Sequence, residues 1–154
     1  MKLTAILRNR RGAAMIELAV ISTLLMIVVV GMIDFGRIGY HAMALTNAAR
    51  AGAFHGSQPG KNTDFAGMQS AASNSAAQDI GSITTTATRS CECQIGAATP
   101  TVMISCPPPG NPVCNGTVRM RVRVSASKAF TLLARFPGLP SSVTLTRVAI
   151  LRGQ

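Results

Sequence analysis

An α+β protein built on one long N-terminal helix is what this sequence predicts. Three observations predict it: an unbroken apolar run from Ala13 to Ile33, an apolar stripe that carries the same helical spacing on to about Phe54, and a later stretch in which apolar and polar residues alternate one by one. Apolar residues at three- and four-residue steps mark one face of a helix, and strict alternation marks a half-buried strand. Both kinds of element in a chain of 154 residues point to one small domain.

The first run reads AAMIELAVISTLLMIVVVGMI and holds a single ionisable residue, Glu17. About 20 apolar residues suffice to cross a bilayer as a helix, and the roughly 120 residues beyond can still bury a core of their own. The chain carries a formal net charge of +10, and Lys2, Arg8, Arg10 and Arg11 precede the run without an acid among them. The positive-inside rule therefore places the N-terminus in the cytoplasm and the remainder across the membrane. An ordinary secretory signal has a shorter apolar stretch closed by a small-residue cleavage site. Here the nearest such triplet, Ala42-Met43-Ala44, lies well past the run, after Asp34 and Arg37. A permanent anchor explains the charges and the span but not Glu17, because a carboxylate in a membrane helix costs about 2.5–3.5 kcal/mol at the bilayer centre and usually pairs or serves a function.

The string Arg10-Arg11-Gly12-Ala13-Ala14-Met15-Ile16-Glu17 resembles a pilin-like processing site, and the chemistry of the cut after Gly12 that this resemblance implies accounts for that acid. Gly12 lacks a Cβ and lets a protease approach the backbone. A cut there removes the basic leader and leaves a new α-amine on Ala13, with which Glu17 of a neighbouring chain can pair where an unpaired charge would be costly. The string resembles the processing site of type IV pilin-like precursors, with a basic leader ending in Gly and Glu at the fifth mature position. Leu18 stands where such precursors often carry an aromatic residue. Further on, Asp34-Phe35-Gly36-Arg37 and Ala44-Leu45-Thr46-Asn47-Ala48-Ala49-Arg50 with Gly52-Ala53 extend the likeness. From Arg11 to Ala53 the chain resembles the TadE/TadF-like pseudopilins, or minor pilins, of the tight-adherence (Tad) pilus. The resemblance implies a pilus component or assembly factor with a pilin-like fold, not an enzyme. It implies cleavage by a prepilin peptidase after Gly12, and it names as partners the inner membrane, other pilin subunits and the Tad secretion machinery.

Beyond the span, Phe35, Ile38, Ala42, Leu45 and Ala49 form the stripe that should pack the outer half of the helix on the globular part. Gly56-Ser57-Gln58-Pro59-Gly60 reads as a turn. A second helix is expected from Thr63-Asp64, which offers a capping side chain. Phe65, Met68, Ala72 and Ala76 would form its buried face, and Gly81 its end. Strands are expected at Ile83–Thr88, Thr101–Ser105, Val118–Val124 and Ser142–Leu151. The third has one apolar face and one bearing Arg119, Arg121 and Arg123. Phe130 to Pro137 reads either as a short helix or as an apolar loop.

Cys91, Cys93, Cys106 and Cys114 all follow the span, in the compartment where disulfides persist. Cys91 and Cys93 are expected to point apart at a strand end and to bond poorly with each other. Two of the three pairings remain, each tying 91–93 to the Pro107-Pro108-Pro109 loop. A zinc site lacks the usual ligand spacing. From Asn115 onward there are seven Lys/Arg and no acid. That excess suits nucleic acid or an acidic envelope polymer, or else a solvated strand face. With so few aromatics nearby, it does not point to nucleic acid. Asp34 and Arg37 are spaced for a local ion pair or for a contact with another subunit. His41 and His55 have no serine or carboxylate at motif spacing, and no phosphate loop, acid/base pair or nucleophile motif is present. An enzyme is not expected, nor a cofactor.

The organisation expected is a leader over 1–12, a transmembrane helix over 13–33, its periplasmic continuation over 34–55, and a disulfide-bonded periplasmic α+β domain over 56–154. The rival is an uncleaved, membrane-anchored binding module with a basic surface.

Overall fold

The computed structural model describes residues 10–95, 102–104, 106, 114, 116–133, 138 and 140–153, with only the backbone described for Arg10, Arg11, Val102 and Met103. The leader up to residue 9, the Pro107-Pro108-Pro109 loop, Asn115 and the stretch from Ala134 to Pro137 lie outside the described residues.

Helix α1 spans Arg10–Ser57, 48 residues without a break, or about 70 Å at 1.5 Å per residue. It contains no proline, so nothing in it removes a backbone donor. Helix α2 spans Phe65–Ala77. Its first turn is capped by the Asp64 carboxylate, which accepts from Gly67 N–H at 2.9 Å. The strands are β1 (Thr84–Gln94), β2 (Val102–Ile104), β3 (Thr117–Thr131) and β4 (Ser142–Arg152). They form one antiparallel sheet in the order β2-β1-β3-β4. The fold is α+β, as the sequence predicts.

Three expectations about the helices are corrected. Phe35 is exposed rather than part of the packed stripe; Asp34 takes the inward position on that turn, leaving Phe35 a hundred degrees round the helix. Phe65 is also exposed, because it sits at the first position of α2, while Met68, Ala72 and Ala76 are fully buried. Helix α2 ends at Ala77, earlier than Gly81. Ile80 N–H turns back to Ala76 O at 2.9 Å, and Gly81 (φ +72°) takes the left-handed turn into β1.

Both helices pack on one face of the sheet. Ala44, Leu45, Ala48 and Ala49 of α1 meet Ala76, Ile80 and Ala126. One turn further along, Ala53 meets Met68, Ala72, Val122 and Val124. Apart from Leu45, the α1 side chains here are small, so α1, α2 and the sheet approach closely. A methyl group on Gly52 would lie 2.6 Å from the Met68 carbonyl oxygen and 3.0 Å from Val124 Cγ1. That glycine is required by packing, not by backbone conformation.

The disulfides close Cys91 on Cys106 and Cys93 on Cys114. Cys91 and Cys93 do not diverge as expected. As residues i and i+2 of β1 they share one face of the strand, and each takes a partner from the following segment, with Cα–Cα separations of 5.0 and 5.8 Å.

Candidate functional site

The N-terminal half of α1 is bare. Its most apolar window has no residue buried within the chain, and Met15, Leu18 and Met32 are each more than two-thirds exposed. The polar atoms in this stretch are turned inward: Ser22 and Thr23 donate to Ala19 O at 3.0 and 2.8 Å, which satisfies their hydroxyls inside the helix. Glu17 stands exposed on the same stretch, four residues beyond Ala13, and α1 runs through Gly12 and Ala13 without interruption.

The first contact with the globular part comes immediately after the apolar run. Asp34 is buried, and its carboxylate accepts from Leu133 N–H at 3.2 and 3.1 Å and from Arg37 Nη1 at 3.3 Å. Arg37 lies over the Phe130 ring at 4.9 Å from its centroid. The His41 ring meets the same phenyl edge-on at 5.1 Å. Phe130 is itself buried near the end of β3. Lys128, two residues earlier, donates to Ile80 O. Burial first, and the charges of Lys128 and Arg37 second, hold the His41 pKa below its ordinary value of 6.5. One strand end, one loop N–H and the cations Arg37 and Lys128 thus gather along the two turns of α1 from Asp34 to His41.

From there to Ser57, only one side of α1 is covered. Leu45, Ala48, Gly52 and Gly56 face the domain and are buried, while Met43, Asn47, Arg50 and Phe54 on the opposite side are exposed. A helix that is bare all round in its first half and bare on one side in its second is unlike the core helix of a soluble domain.

Residues 12–53 match the TadE-like protein family. The TadE-like segment therefore begins at the glycine of the proposed cut, covers the whole bare section and the Asp34 junction, and ends at Ala53 where α1 enters its tightest packing. No curated protein and no solved structure matches the chain. The sheet domain lies outside the matched residues.

The structure brings Asp34 and Arg37 together, as their spacing suggests, but aims the Asp34 carboxylate at its own domain. Arg119, Arg121 and Arg123 share one face of β3, the face opposite to that of Phe130. Arg121 Nη2 lies 3.0 Å from Glu92 Oε2, and Glu92 is the cross-strand partner of Arg119. Sequence reasoning missed Glu92, His41 and Phe130 as members of these clusters, as well as Arg152, which pairs across the strands with Arg121. The odd-numbered arginines of β3 were a usable signal. The register that adds Glu92 and Arg152 to them was not.

Proposed function

We propose that this protein is a minor pilin, or pseudopilin, that takes part in assembling a Tad-type pilus after a prepilin peptidase cuts between Gly12 and Ala13. The observation that carries the proposal is the two-stage exposure of α1: bare all round over the apolar run, then bare on one side along the domain. The first stage suits a bilayer before assembly and helix packing after it. The second offers a face to neighbouring subunits without disturbing the domain core. The TadE-like match over residues 12–53 supports the same assignment. In this reading the chain sits in the inner membrane as a single-pass protein, with residues 56–154 in the periplasm. Glu17 meets the Ala13 amine of an adjacent subunit, a pairing that relieves both charges in a low-dielectric setting.

Intact mass and N-terminal sequencing of the protein from its native membrane test the cut. A chain beginning at Ala13 is expected. A chain still beginning at Met1 in cells with an active prepilin peptidase would overturn the processing step. Glu17→Ala is expected to insert in the membrane normally and to abolish pilus assembly, read by counting fibres on cells; normal piliation would sink the pairing.

A further inference from the structure

The face of the sheet turned away from both helices is exposed over most of its described residues, Glu92 being the buried exception, and its charge is one-sided. Three arginines, Arg119, Arg121 and Arg152, line a concavity of about 220 Å³ at the β3–β4 end, together with Ile150 and Leu151. Arg123 lines a second, of about 370 Å³, with Thr86, Thr88 and Ser125. Arg121 and Arg152 are direct cross-strand partners, an arrangement in which like charges repel. One carboxylate, Glu92, answers them, and it lies against Arg121. Arg119 Nε is buried and has no hydrogen-bond partner among the described residues. The site is held firmly on one side, since Glu92 stands between two cysteines that are both disulfide-bonded.

An arginine cluster with one counter-charge calls for a further anion, and no other acidic side chain among the described residues supplies it. Of the chain's five acids, Glu17 is in the apolar run, Asp34 is buried at the junction, Asp64 caps α2 and pairs with His55, and Glu92 already belongs to the site. Asp79 alone is exposed elsewhere on the domain, too little for a second copy to neutralise this face. Nucleic acid is disfavoured as well: no aromatic side chain lies on the described part of the face, so bases would find no stacking platform. The face offers guanidinium forks beside threonine and serine hydroxyls, and that combination suits a polymer bearing carboxylate or sulfate groups among many hydroxyls.

We propose that the outer face of the sheet binds an acidic polysaccharide. Arg119, Arg121 and Arg152 hold one carboxylate or sulfate in the concavity, Arg123 holds another beside it, and Thr86 and Thr88 meet sugar hydroxyls. The binding does not depend on leader cleavage, so it stands or falls separately from the pilin assignment.

The test uses the full chain in detergent micelles and fluorescently labelled polygalacturonate, heparin, dextran and single-stranded DNA. Polygalacturonate, heparin or both should bind with an affinity that falls as salt is raised, and dextran should not bind. Preference for one of the two identifies carboxylate or sulfate as the recognised group. Arg152→Ala and Arg123→Ala, both at exposed positions, should each weaken binding by about tenfold. Arg147→Ala, a basic residue of β4 at a position of opposite facing, should leave it unchanged. Circular dichroism of each variant confirms that the fold is kept. Equal loss in Arg147→Ala, absence of binding to both acidic glycans, or single-stranded DNA binding as tightly as they do would each overturn the proposal.

Discussion

His41 lies where three kinds of influence meet: the Phe130 ring, burial, and the positive charges of Lys128 from β3 and Arg37 from its own helix. Its pKa is lowered, so the folded protein keeps the ring neutral in a range where the unfolded chain takes up a proton. The stability this contributes is fully present above pH 6.5, the ordinary value, and is lost as pH falls from there through the lowered one. Asp64 acts in a separate window. Its hydrogen bonds to His55 and to the Gly67 N–H lower its pKa below 3.8, so its contribution is lost only as pH falls below that value. Thermal melts between pH 8 and pH 3 should therefore show a first decline beginning near pH 6.5, and His41→Gln should remove that decline while leaving the more acidic one. An unchanged profile in His41→Gln would show that the junction does not sense the proton. Of the junction, the sequence announced only the Asp34–Arg37 spacing. Leu133 N–H and Phe130 are nearly a hundred residues away along the chain, and no local pattern encodes that approach.

Two features are decided by whole elements. The first is the close approach of α1 to α2 and β3. In isolation Gly52 weakens a helix. In the folded protein it makes room for the Met68 carbonyl, which cannot move without disturbing α2. Gly52→Ala should gain helix propensity yet destabilise the protein by about 1–3 kcal/mol through overpacking, measured by urea titration in micelles. A stabilised variant would mean that α2 yields easily. The second is the end of β1. The disulfides span 15 and 21 residues, and closing loops of that size stabilises by about 3 kcal/mol each. Replacing Cys91 and Cys106 by serine together should lower the melting temperature. It should also loosen the strand that carries Glu92, seen as faster amide exchange over Ser90–Gln94. The pairing was open in the sequence because either arrangement ties the same two segments together. Placing Cys91 opposite Ile104 and Met120 settles which partner each cysteine reaches.

On the scale of the molecule, α1 serves two surroundings. Its inner side completes the domain core from Asp34 onward, and its outer side presents Met43 and Phe54 to whatever lies beyond. If that side packs against neighbouring subunits, Met43→Asp and Phe54→Asp should leave the thermal stability of the single chain within about 0.5 kcal/mol, the usual range for surface substitutions, while sharply reducing incorporation into fibres. Normal incorporation of both would argue that subunits meet elsewhere.

The apolar run, the long helix, the capped α2 and the two-faced β3 were determined by the sequence alone, because each depends on residues a few positions apart and on a period of 3.6 or 2. Even there, Phe35 and Phe65 were misplaced, since spacing says which residues share a face but not where the covered sector ends. The tertiary structure decided the rest: the bond from Asp34 to Leu133, the cysteine pairs, and the gathering of Arg152 and Glu92 with the β3 arginines. Each of these joins residues from separate elements, and their meeting is set by strand register and helix docking, which depend on the whole core packing at once.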